Sequence, residues 1–132
     1  MPDYNEAMVW LKLAKRDYAV ALHLSETLDP KPIEVICFHS QQAVEKALKA
    51  VLAYNEAKIP KIHDITALHA LCKAYTNKLL LQESAEATLT DFAVAARYVE
   101  DRSDYTEDTG QFALKQAQRV LGEVEQIFEA KA

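Results

Sequence analysis

Three polar side chains within Phe38 to Ala50, "FHSQQAVEKALKA", have types and a spacing that could do chemistry: His39, Gln42 and Lys46. On a helix turning about 100° per residue, His39 and Lys46 fall within about 20° of each other, two turns apart. An imidazole and an ammonium so aligned can face one anionic or nucleotide-like group. Phe38, Lys49 and Ala53 share that arc, with Val35 nearby. An aromatic group among a few polar ones suits a dimer interface or a ligand surface. It suits equally a central helix buried on more than one side, with lysine stems running out to water. Elsewhere, His63-Asp64 stands before an apolar run, and Arg97 offers a guanidinium that forks onto phosphate or carboxylate oxygens.

Other chemistries find less support. His63 and His69 are six residues apart and point to different sides of a helix, so they lack the i, i+4 spacing of a metal pair. No metal or other cofactor is expected. The two glycines, Gly110 and Gly122, sit near the C-terminus and exclude a Gly-rich phosphate loop. There is no G-x-S-x-G nucleophile motif. Cys37 and Cys72 lie in apolar pattern without a CxxC partner and read as reduced core thiols.

The elements that must position these groups are helices. Two glycines and four prolines in 132 residues are too few for strands, which would need a turn signal every ~8–12 residues. The spacing predicts a first helix from about Asp3 to Leu28, with Asp3 and Glu6 as a capping-box-like start. Its inner face would hold Ala7, Trp10, Leu11, Ala14, Tyr18, Ala21, Leu22 and Ser25. Asp29-Pro30-Lys31-Pro32 ends it, and Pro32 suits the first turn of a second helix reaching about Asn55.

A third, shorter helix runs to about Tyr75 with Asp64 as N-cap, and a fourth from about Gln82 to Glu100. The polar run Asp101 to Thr109 reads as a loop. A fifth helix then reaches about Glu129, with Ala113, Ala117, Val120, Leu121, Val124, Ile127 and Phe128 inside. The expected fold is all-α, an up-and-down bundle of about five helices, four long and one short, forming one domain over residues 1–132.

A net charge of −5 argues against general DNA binding through bulk positive charge and leaves room for a local basic pocket. No apolar run approaches the ~18 residues of a membrane span, and the acidic N-terminus is no signal peptide. A cytoplasmic location is expected.

In order, the segments "WLKLAKRDYAVA", "ICFHSQQAVEKALKAVL", "HDITAL" and "ARYVEDRSDY", then an Ala-spaced last helix, resemble the HEPN domain (higher eukaryotes and prokaryotes nucleotide-binding) of small prokaryotic stand-alone type. The resemblance spans essentially the whole chain. It is most specific in F-H-x-Q-Q-A-x-E-K-x-L-K-A and the following H-D-[IL]. It implies an all-α bundle, a homodimer, association with nucleotide or RNA, and pairing with a minimal nucleotidyltransferase in a toxin–antitoxin-like system. The polar residues that carry over are His39, Gln42, Lys46, His63, Asp64 and Arg97; Phe38, placed opposite the apolar stripe of its helix, is the candidate for the dimer interface.

Catalytic members carry Arg, four to six residues, then His near the end of the fourth helix. Here Arg97 is followed by Tyr-Val-Glu-Asp-Arg-Ser-Asp-Tyr, and the last histidine of the chain is His69. The literal match Arg16 to His23 falls inside the first helix instead. The resemblance therefore leans toward a non-catalytic binding module, with no catalytic residue assigned. A metal-independent ribonuclease with a divergent site and a purely structural interaction module stay open beside it.

Overall fold

The computed structural model describes residues 3–95 and 105–131, and Arg97 lies outside them. Five helices follow in order: α1 Tyr4–Thr27, α2 Ile33–Tyr54, α3 Ile65–Cys72, α4 Glu83–Ala95 and α5 Glu107–Lys131. Asp3 caps α1, its carboxylate accepting from the Glu6 amide at 3.1 Å. Ala7, Leu11, Ala14, Ala21 and Ser25 are buried on its inner face, while Trp10 and Tyr18 are half-buried. Leu22, expected inside, is exposed. It lies one residue past Ala21 and is turned by about 100° out of the packed stripe.

Helix α2 is the axis of the bundle and touches all four others. From Ala47 to Tyr54 every residue is buried, which only a helix surrounded on all sides allows. Its C-terminus ends without glycine. Glu56 takes the left-handed conformation (φ 56°), and the Ala57 amide bonds the Leu52 carbonyl at 3.0 Å, closing a Schellman-type cap. The Asp3 amide donates to the Tyr54 carbonyl, so the start of α1 meets the end of α2 and the two run antiparallel. Gly110 lies against Ile33 and the Phe128 ring stacks on Tyr54, so α5 runs parallel to α2.

The boundary differences have local causes. Helix α3 stops at Cys72 rather than Tyr75, because the Tyr75 and Thr76 amides both turn back onto the Cys72 carbonyl. Helix α5 begins at Glu107, inside the run read as loop. Thr106 and Thr109 exchange amide-to-hydroxyl bonds at 3.0 and 3.4 Å, a capping box with threonine where glutamate is usual. Between α3 and α4, Leu79 and Leu81 face the core while Leu80 faces out. The Leu80 backbone is held by Glu123 and Arg119 of α5 at 3.1 and 3.4 Å.

Candidate functional site

Two carboxylates organise the polar side of α2. Asp17, on α1, accepts from His39 Nδ1 at 2.9 Å through one oxygen and from Lys46 Nζ at 2.6 Å through the other. His39 and Lys46 share one anionic group, which their alignment on the helix allows, and it belongs to the chain itself. Asp17 is the deepest of the three, 14% exposed against 28% for His39 and 25% for Lys46. The two α2 side chains therefore lie over it, closer to solvent. Phe38, half-buried, meets the His39 ring edge-on at 5.4 Å.

The second carboxylate is Glu45, 4% exposed in its side chain. One oxygen takes His63 Nδ1 at 2.8 Å and Gln41 Nε2 at 3.3 Å. The other takes Lys49 Nζ at 3.1 Å. Gln42 donates to Gln41 at 2.7 Å, and Gln41 also reaches the His63 carbonyl at 3.4 Å. This network ties the loop before α3 to the middle of α2. Asp64 begins α3 by accepting from the Ala67 amide at 3.1 Å.

Lys49 departs from its expected place. Its position on the helix wheel puts it in the outer arc, yet it is 6% exposed, paired with Glu45 and set 5.6 Å from the centre of the Trp10 ring. Ala53, grouped with it, is buried as well. Helix α1 crosses this part of the arc and closes it off. A buried ammonium holds its charge only beside a counter-ion, and Glu45 with the indole face supplies that environment. Of the two lysines, Lys46 alone reaches toward solvent.

The structure thus gathers His39, Gln42, Lys46 and His63 along one side of α2, with Asp64 one residue beyond His63 at the start of α3. Asp17, Gln41, Glu45 and Lys49 were not expected among the organising groups. The i, i+4 ladder Gln41–Glu45–Lys49 was a usable signal, since such spacing puts an amide, an acid and a base in line. Asp17 had none: a single aspartate in a charged stretch of α1 finds α2 only through packing. A further buried pair, His69 with Glu86, joins α3 to α4. Thr90 supports it, donating to the Glu86 carbonyl at 2.9 Å and accepting from the Ile65 amide at 3.0 Å.

Both cysteines are buried and free. Burial pushes each thiol up to about 12, with Glu34 adding to the effect at Cys37. Such thiols are poor nucleophiles at neutral pH. Among the described residues no three His, Cys, Asp or Glu side chains converge to hold a metal ion, and no helix is long and apolar enough to cross a membrane.

A five-helix bundle whose central helix carries a carboxylate-organised polar side defines the class. The HEPN domain family model matches residues 7–127. Among solved structures, the fold is similar to TT1696 from Thermus thermophilus, with a TM-score of 0.71 and 24% identity over 92% of this chain and 98% of that one. It is similar also to ST0689, an archaeal HEPN homologue, with a TM-score of 0.69 and 26% identity over 91% and 95% of the two chains. A comparison with curated protein sequences finds no match. The chain belongs to the HEPN domain family, whose members generally bind nucleotides or RNA and often form dimers.

Proposed function

We propose that this chain is a non-catalytic nucleotide- or RNA-binding module whose site is the polar side of α2. His39, Gln42 and Lys46 form its centre, His63 and Asp64 one end, and Arg97 a phosphate contact. The observation that carries the reading is the set of two imidazoles and one ammonium held on one side of α2 by Asp17 and Glu45. Residues 1–132 act as one domain. The module works as a cytoplasmic homodimer sealed in part by Phe38. Its partner is a minimal nucleotidyltransferase, in a toxin–antitoxin-like pair.

The test is a light-scattering mass on the purified protein, then calorimetric titration with ATP, GTP and a short single-stranded RNA, with a cleavage control. Binding without cleavage is expected. Lys46→Ala and Arg97→Ala should each weaken it, and the wild-type affinity should fall with added salt, as phosphate contacts require. A dimer that binds none of the three ligands would leave the polar side as a protein-docking surface instead.

A second reading draws on the same geometry. An imidazole held through Nδ1 by a carboxylate is also the arrangement of a general base. In that reading His39 or His63 serves a metal-independent ribonuclease. RNA cleavage by the wild type, lost in folded, dimeric His39→Ala and Arg97→Ala variants, would select it.

A further inference from the structure

Away from the polar side of α2, helices α1 and α5 both pack on α2 and leave a cavity of about 170 Å³ where the start of one meets the end of the other. Tyr4, Met8, Leu11 and Lys15 recur at helical spacing, so one face of α1 supplies one wall. Glu125, Phe128 and Glu129 supply the other from α5. Leu11 and Phe128 are buried and form an apolar floor, with half-buried Met8 and exposed Tyr4 beside them. The cavity lies toward the Tyr54 end of α2, because Phe128 stacks on Tyr54. His39 is 15 residues back from Tyr54, about 22 Å along the helix, so a ligand here is separate from one on the polar side.

The rim is charged, and unevenly. Lys15 Nζ pairs with Glu125 at 3.4 Å. Glu129, one turn further along α5, has no hydrogen-bond or ion-pair partner among the described residues. It stands two residues before the end of α5 at Lys131, where unpaired backbone carbonyls add negative potential and favour a cation. The positive start of α1 across the cavity is already answered, by Asp3 as cap and Glu6 in the first turn. One unspent carboxylate matches one positive charge. The volume is below the ~300–1,000 Å³ of pockets that enclose drug-sized ligands, so the cavity takes a short chain and not a nucleotide. An apolar floor beneath a single spare carboxylate fits a primary ammonium on a short aliphatic stem, the same chemistry with which Lys15 lines this space.

We propose that the cavity between α1 and α5 is a binding site for a primary alkylammonium group, its stem on Met8, Leu11 and Phe128 and its charge on Glu129. A free small amine and a lysine side chain share that chemistry. The site is independent of nucleotide binding on the polar side of α2.

NMR titration tests it. The chain has two methionines, Met1 and Met8, so methyl-labelled methionine places a signal inside the cavity. n-Pentylammonium should shift the Met8 methyl saturably, 1-pentanol more weakly, and pentanoate not at all. Glu129→Gln changes an exposed rim residue and leaves the core untouched. It should weaken the amine by about two- to fivefold, the worth of an ion pair at an exposed site, and leave the alcohol unchanged. Added salt should weaken the amine alone. Nα-acetyl-lysine N-methylamide distinguishes the sources. Binding comparable with that of pentylammonium assigns the site to a lysine side chain of a partner, and much weaker binding assigns it to a free amine. No saturable shift with either amine would overturn the site. Equal binding of amine and alcohol, or amine binding unaltered in Glu129→Gln, would overturn the role of the carboxylate and with it the choice of ligand.

Discussion

At the scale of single residues, the polar side of α2 depends on which groups are buried. Glu45 gathers bonds from Gln41, Lys49 and His63, and Lys49 beneath Trp10 has it as its counter-ion. Replacing Glu45 with Ala strands an ammonium in a desolvated place, which costs about 3–5 kcal/mol. Urea unfolding should show a loss of that order, and the Glu45→Ala, Lys49→Met double variant should recover much of it. The thiols give a second residue-scale prediction. Their folded values stand near 12 against an ordinary 9.0, so the folded chain keeps protons that the unfolded chain releases. This contribution is fully present below pH 9.0 and is lost as pH rises through about 12. Stability should decline across that alkaline window. At a pH of about 8, below the ordinary thiol range, an aromatic disulfide reagent should label neither cysteine until denaturant is added.

At the scale of elements, the ends of the helices are set by side-chain caps more than by glycine. Asp64 is the clearest case. It ends the loop that presents His63, and its carboxylate bonds the Ala67 amide. Asp64→Ala should cost about 0.5–2 kcal/mol by the usual worth of an N-cap. Local fraying should follow too, seen as faster amide exchange over α3 while α1 and α5 keep their protection. Equal acceleration everywhere would mean that α3 opens only with the whole bundle. Helix α5 uses Thr106 and Thr109 in the same way, and this is why it begins at Glu107, ahead of its first apolar positions.

At the scale of the whole molecule, α2 cannot be removed from the core at one end without disturbing the site at the other. From Ala47 to Tyr54 it is buried throughout, while His39, Gln42 and Lys46, ahead of that stretch, reach toward solvent. Phe38 is half-buried and near exposed Val35, an apolar patch at the solvent-facing end. If that patch joins two copies, Phe38→Lys should give a monomeric mass by light scattering with the helical circular dichroism signal retained. An unchanged dimer would move the interface elsewhere.

The amino-acid sequence by itself determined the helical class, the core stripe of α5 from Ala113 to Phe128, the caps at Asp3 and Asp64, and the alignment of His39 with Lys46. Each follows from periodicity or from local hydrogen-bond chemistry, which act over a few residues. Folding decided what those aligned groups face. Asp17 is 22 residues from His39 and 29 from Lys46 in the chain, and nothing in its neighbours marks it as their shared acceptor. Lys46 and Lys49 are alike in type and lie within a turn of each other, yet α1 covers one and leaves the other reaching toward solvent. Local patterns carry the period of a helix, but burial depends on which helix lies across it, and packing of the whole chain supplies that.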